Sequence, residues 1–433
     1  MTMLRTLTRT LLPIAAALAI TGTARAQTQV GVDIYGRGGA QSIRIAVPFP
    51  TLHEPVAAAA VHEPFFSPLT RAIAYSEIFG VVAMPPGKVP SPAVAKESGA
   101  QLYLDLSISM AGANYAVEAR LIDTNSNSTQ LARRYSSSPG ALTRIAHTIA
   151  NDLLIHFTGK PGIFLTQIAF VSTRDTTGQR VKEVYVMDWD GSNQRRITSH
   201  KSLSLSPSWS PDGNKIVYTS FGKGSTDMYV VARDGSTRQK LDTGVALNSS
   251  PTYSPDGSKI AFVGSQKGNT DIWVIDADGK NPRRMTSDSS IESTPAWSTN
   301  GREISFTSSR SGTPQIYVMD AEGTNVRRIS FDGEWNDDAV WSPDGEMIAY
   351  TSGVKGFYQI RIMNVATQKT WIIAGNGSNE QPSWAPDGRS IVFQSNRSGG
   401  WQVYRVKPDG TEIVQLTSAG ENTAPDWGWN LKR

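Results

Sequence analysis

The chain contains no cysteine. Disulfides, thiolate zinc centres and cysteine nucleophiles are thereby excluded, and the redox compartment is left undetermined. Histidine is scarce as well. His53, His62, His147, His156 and His200 show no metal-ligand spacing, and they read as structural or solvent-facing residues. No Gly-x-Ser-x-Gly elbow occurs, which removes the nucleophile that a serine peptidase built on this architecture would need. Long apolar runs are missing beyond the first twenty or so residues. Leu11 to Ile20 is too short to span a bilayer, and nothing later is apolar enough to form a transmembrane helix, so no direct membrane insertion is expected.

What the sequence does have is repetition. Trp209-Ser-Pro-Asp-Gly213, Tyr253-Ser-Pro-Asp-Gly257, Trp297-Ser-Thr-Asn-Gly301, Trp341-Ser-Pro-Asp-Gly345, Trp384-Ala-Pro-Asp-Gly388 and Trp427-Gly-Trp-Asn430 stand 44, 44, 44, 43 and 43 residues apart. That period fits a four-stranded propeller blade and overshoots the usual helical and leucine-rich repeats. Pro presets φ, and Asp-Gly takes the positive-φ corner of a hairpin. Pairs such as Ile216/Tyr218 and Ile304/Phe306 then mark a strand with period-two burial. A third strand carries Tyr185, Tyr229, Trp273, Tyr317 and Tyr404, with Arg361 in the copy after Trp341. A short polar fourth strand, with Arg195/Arg196, Arg283/Arg284 and Arg327/Arg328, suits an outer edge. Strand counting leaves the unit at 162–198 without an inner strand and the C-terminus with one to spare, so the two are expected to complete one blade.

Ahead of the repeats, Arg5 and Arg9 precede the apolar run, and Ala24-Arg-Ala26 offers a signal-peptidase site with cleavage between Ala26 and Gln27. Removing residues 1–26 takes away three arginines and no acid, so the formal charge falls from +4 to +1. Residues 27–40 are too short to hold a core and read as an arm. From residue 41 to 158 the pattern alternates. Strands are expected at 43–49, 81–84, 101–107 and 115–123, and helices within 67–79, near 93–98 and over 141–157, the last with Leu142, Ile145, Ile149, Leu153 and Phe157 on one stripe. The expected fold is mainly β: a six-bladed β-propeller over 162–433 with shared-blade closure, preceded by a small α/β domain.

In a propeller the first strand of each blade lines the central channel, and the residues before each anchor aromatic ring one mouth. They are polar here: Ser204 and Ser206; Asn248, Ser249 and Ser250; Glu292, Ser293 and Thr294; Asn336, Asp337 and Asp338; Asn379, Glu380 and Gln381; Glu421, Asn422 and Thr423. They form the candidate binding surface, set against the plainer reading that loops are polar. Other features have bland readings. The Arg pairs recur at one strand of each blade without interleaved aromatics, which favours edge protection over nucleic-acid binding. Asp276-Ala-Asp-Gly279 lacks the downstream ligands of a calcium loop and reads as a hairpin turn. One aromatic anchor per blade at constant phase, as at Trp297, is what blade packing requires, in preference to carbohydrate stacking.

Signal peptide, arm, α/β domain and six blades, in that order, together with Gly159-Lys-Pro-Gly-Ile-Phe-Leu-Thr-Gln-Ile-Ala-Phe170 at the junction, resemble the TolB family of the Tol-Pal system across the whole chain. The resemblance implies a periplasmic, non-enzymatic protein, monomeric alone and without cofactor or metal, that supports outer-membrane integrity and constriction at division. It implies that the propeller mouth binds a Pal-type lipoprotein, with Leu247, Ser250 and Ser293 at the family's recognition positions and Asn248, Glu292, Thr294, Asn336, Asp337, Asp338, Glu380 and Glu421 around them. Leu247 departs from the family's frequent His. The arm, through Gln27, Val30, Val32, Asp33 and Ile34, is implied to engage a TolA-type inner-membrane protein. A secreted propeller hydrolase or lyase using the mouth carboxylates Glu292, Asp337 and Glu380 is the alternative.

Overall fold

The computed structural model describes residues 42–175, 181–222, 225–266, 268–354 and 356–428. The arm residues Gln27, Val30, Val32, Asp33 and Ile34 and the cleavage site at Ala26 lie outside them. The α/β portion is one sheet backed by helices. Its strands are β1 (Ile43–Ala46), β2 (Thr51–Leu52), β3 (Phe79–Val82), β4 (Leu102–Ala111), β5 (Asn114–Asp123) and β6 (Thr129–Ser137). The order is β3-β1-β4-β5-β6, with β2 beside β4. Strand β3 begins two residues earlier than its apolar pattern suggests, because Phe79 is buried and pairs with Ile43 while Val81 faces outward. Strand β6 has no sequence signature: Gln130, Arg133 and Arg134 make it polar, and it exists because β5 offers it an edge.

Helix α1 (Ala59–Val61) leads through a π-turn at His62–Phe66 into α2 (Ser67–Tyr75), and α3 (Pro92–Glu97) follows, capped by Ser91 Oγ accepting from the Val94 amide. Helix α4 (Leu142–Thr158) buries Leu142, Ile145, Ile149 and Leu153 as its stripe demands. Phe157, at the end of that stripe, is 37 % exposed and makes edge contacts with Phe79 and His156. Gly159 ends the helix in the left-handed conformation (φ 70°).

The remaining chain is six four-stranded antiparallel sheets. Blade one joins Gln167–Ser172, Glu183–Asp188 and Arg195–Arg196 to the closing strand Asn422–Trp427. Inner strands of blades two to six are Leu203–Trp209, Asn248–Tyr253, Glu292–Trp297, Trp335–Trp341 and Asn379–Trp384. The anchor turns form for a local reason. Ser210 Oγ donates to Asp212 (2.6 Å) and accepts from the Lys215 amide (2.9 Å), while Gly213 holds φ 67°. Trp209, Tyr253, Trp341, Trp384 and Trp427 are buried as anchors; Trp297 is only half buried, a correction to the uniform packing expected of the set. Asp276-Ala-Asp-Gly279 is a hairpin turn, with the Gly279 amide donating to Asp276 O at 2.8 Å.

The outer-strand arginines do more than protect an edge. Arg195 reaches the Arg233 carbonyl of the next blade (2.8 Å), and Arg283 the Ala321 carbonyl (3.1 Å). In blade five Trp371 Nε1 makes the equivalent bond to Pro408 O at 2.9 Å. Each is a clasp between blades.

Candidate functional site

The α/β portion packs against the turns at one end of the propeller. Tyr75 hydroxyl bonds Ser390 (3.0 Å), Arg389 donates to Ser76 O and Glu77 (2.7 Å each), and Lys407 pairs with Glu77 (2.7 Å). Trp189 lies between Tyr75 and Phe164, with Arg405 over it, and donates to buried His147 (3.2 Å). Arg389 and Ser390 sit in the turn after a first strand, Trp189 and Lys407 in turns after third strands, and Arg405 near the end of a third strand. The residues preceding the anchors therefore open on the opposite end, away from the α/β portion.

At that mouth every inner strand has a register shift three residues before its anchor. The residue there is left-handed in all six: Ser206, Ser250, Thr294, Asp338, Gln381 and Ala424, φ 45–54°. A β-bulge of this kind re-aims side chains at the price of unfavourable φ. Neighbouring blades stabilise it: Gln381 N donates to Thr351 Oγ1 (3.0 Å), and Ala424 N to Gln394 Oε1 (2.9 Å). The bulge residue itself varies, but Pro follows it in five of the six strands, at Pro207, Pro251, Pro295, Pro382 and Pro425, with Ala339 in blade five.

The candidate residues divide. Asn248, Glu292 and Asn336 are buried inside their blades, so they are removed from the surface a partner could touch. Asn248 exchanges bonds with Thr243 (2.7 Å) and Thr226 (3.0 Å); Glu292 accepts from Arg310 (2.7 Å) and Ser308 (2.9 Å). The polar pattern at those positions serves the blade's own hydrogen bonding. Leu247 packs beside the core shared by blades three and four. Ser250, Ser293, Thr294, Asp337, Asp338 and Glu380 are partly exposed, and Glu421 is exposed with a bond from the Trp401 amide (2.7 Å).

Asp337, Asp338 and Glu380 meet in one place. Asp337 accepts from Thr294 (2.7 Å) and Thr307 (2.6 Å), and Glu380 from Gln394 (3.0 Å). Desolvation, then the charges of Asp337 and Glu380, push the Asp338 carboxyl well above its ordinary range; burial and Asp337 raise Glu380. Further along the channel wall Asp426 accepts from the Trp209 amide (2.7 Å) and Ser383 (3.3 Å), and burial pushes it up to about 7. Like charges in a confined space hold protons. With Glu292 paired to Arg310, only Asp337 and Glu380 remain of the three carboxylates the enzyme alternative uses. Among the described residues no group of three or more His, Cys, Asp or Glu side chains is arranged to hold a metal ion.

Sequence reasoning missed the apolar part of this face. Ile291 (64 % exposed), Phe331 (65 %), Trp335 (42 %) and Phe357 (63 %) stand on loops and strand ends of blades four and five at the mouth. The available signal was three aromatics, Phe331, Trp335 and Phe357, at or next to strand starts of a single blade and the loop leading into it.

A family model described as TolB beta propeller domain matches residues 155–431. A Tol-Pal system protein TolB of Desulfosudis oleivorans is 35 % identical over 132 residues, 30 % of this chain and 29 % of that protein. One of Geobacter metallireducens is 36 % identical over 119 residues, 28 % and 27 % of the two chains. These alignments thus span less than a third of either relative. The crystal structure of TolB from Acinetobacter baumannii superposes with a TM-score of 0.74 at 24 % identity, covering 90 % of this chain and 97 % of that one, a likeness of fold.

Proposed function

Because the chain belongs to the family of TolB beta propeller domains, we propose that it is a periplasmic, non-enzymatic scaffold of the Tol-Pal system. The mouth face receives a Pal-type lipoprotein; the arm at 27–40 engages a TolA-type inner-membrane protein. Together these contacts support outer-membrane integrity and constriction at division. The observation that carries the reading is that four large apolar side chains, Ile291, Phe331, Trp335 and Phe357, stand exposed at strand ends and loops of blades four and five, on the end of the propeller that the α/β portion leaves free. Large apolar surface left exposed in one region of a protein is the usual mark of an interface.

Calorimetric titration against the soluble domain of the cognate lipoprotein tests this. Phe357→Ser and Ile291→Ser together should weaken binding by about 2 kcal/mol or more, the size of an interface hot spot. Both residues are exposed, so the thermal midpoint should stay near wild type. Charge reversal of Arg283 on the outer rim should leave affinity unchanged. Wild-type affinity in the mouth variant would remove the lipoprotein from this face.

A further inference from the structure

Three blades seat an arginine in the same way. Their second strands end in Ser172-Thr-Arg174, Ser308-Ser-Arg310 and Ser395-Asn-Arg397, in blades one, four and six. Each Nε donates to that serine's Oγ, at 3.0, 2.9 and 3.0 Å. Each Nη2 donates to the first residue of the blade's inner strand, Asn422, Glu292 or Asn379, at 3.0, 2.7 and 2.7 Å. The guanidinium carbon lies 5.0–5.6 Å from the aromatic rings of the second and third strands.

Blade five keeps the seat and lacks the occupant. Ser352 and Asn336 stand at the serine and inner-strand positions, 1 % and 0 % exposed, and the arginine position is Val354. Asn336 is oriented by its Nδ2, which donates to Gln315 Oε1 (2.8 Å) and Asp332 O (2.7 Å). Its Oδ1 and Ser352 Oγ are buried without a hydrogen-bond partner. These are the two atom positions that the guanidinium binds in the sister blades, and a pair of orphaned acceptors calls for a donor. The blade's own Arg361 does not serve. It occupies the third-strand position of Tyr185, Tyr317 and Tyr404 and turns to Thr370 Oγ1 (3.0 Å) and Asp332 (3.7 Å).

Only the backbone of one glycine separates the two acceptors from the mouth. Gly333 (φ 84°) covers the seat from the mouth side, where a Cβ would lie 2.8 Å from Ser352 Oγ and 3.3 Å from Asn336 Oδ1. Exposed Asp332 and Glu334 flank that glycine, and the exposed rings of Phe331 and Trp335 stand on either side of them in sequence. The same pair of acceptors holds a planar cation with several donors in the sister blades, which favours a guanidinium over an ammonium here.

We propose that blade five is a receptor seat for an arginine side chain presented by a protein partner docking on the mouth face. The proposal rests on the reading of that face as a docking surface and names the side chain that would anchor it. The probes are N-acetyl-arginine methylamide and its lysine counterpart, titrated by calorimetry and thermal shift against the full chain. The arginine probe should bind about tenfold more tightly than the lysine probe, the order of one charge-assisted hydrogen bond. Val354→Arg restores the Ser-x-Arg motif from within; it should raise the thermal midpoint by itself and abolish the arginine preference. Ser352→Ala, which removes one acceptor and leaves the backbone intact, should weaken arginine binding by about tenfold. Equal binding of the two probes, or an arginine preference that survives Val354→Arg and Ser352→Ala alike, overturns the seat. The lipoprotein titration is read separately, since its failure with arginine binding retained removes that partner and keeps the seat.

Discussion

At the scale of single residues, Asp426 has the most to say about pH. It stands immediately before the anchor of the closing strand, where the other repeats carry Ser208, Thr252, Ala296, Val340 and Ser383. Its carboxylate accepts from the Trp209 amide of the next blade, and burial raises it from 3.8 to about 7. An acid with a raised folded-state pKa binds its proton more readily folded than unfolded. Stability from this group is therefore present at low pH and declines as pH rises from about 4 through 7. Asp426→Asn keeps an acceptor for the Trp209 amide and removes the titration. The variant should melt higher than wild type at pH 8, and the gap should narrow at pH 5 and close near pH 4, as followed by circular dichroism. A gap of constant size across that range would show that the carboxyl does not titrate in the folded protein.

Strands set the next level, and here the closing strand is the sensitive element. Asn422–Trp427 supplies the inner strand of blade one, pairing Asn422 with Ser172 and Trp427 with Ile168. Fully buried Trp427 also donates to Thr166 at 2.9 Å. Truncation after Thr417 removes all of this and leaves a bare ladder edge beside the apolar face of blade one. Soluble yield should fall sharply or the protein should oligomerise, as read by light scattering; a monomeric truncation with an unchanged melting point would refute the shared-blade latch. Anchor turns, the Ile/aromatic strands and the shared blade were all legible in the sequence, because each follows from backbone chemistry repeated at a fixed period. Strand β6 was not: its nine residues lack a strand pattern and are recruited by a neighbour's free edge.

For the whole molecule, the junction between the α/β portion and the propeller decides which mouth is available. Glu77 lies between Arg389 and Lys407, and although burial opposes it, their bonds and charges hold its carboxyl below the ordinary value. A depressed acid contributes stability above its unfolded pKa and loses it as pH falls through the folded one. The group is partly exposed, so the effect is modest after solvent screening. Glu77→Gln should raise amide hydrogen exchange around residues 76–78 and in the turn at 407–410, leaving the inner strands protected. Equal protection in the variant would place the strength of this junction in the Tyr75, Phe164 and Trp189 aromatic cluster alone.

The sequence by itself determined the number of blades, their phase, the latch and the end of the ring at which polar residues gather, because those features depend on local turn chemistry and alternation along one strand. Which of those polar residues face a partner was decided only in three dimensions. Asn248, Glu292 and Asn336 look like Asp337 and Glu380 when read along the chain, yet they lie inside the blades, because they stand five residues before their anchors and not four, and successive side chains of a strand point to opposite faces. The missing arginine of blade five is visible as Val354 in the sequence, but its consequence is not. Two oxygens become orphans only when Ser352 and Asn336, sixteen residues apart, are packed side by side under a glycine.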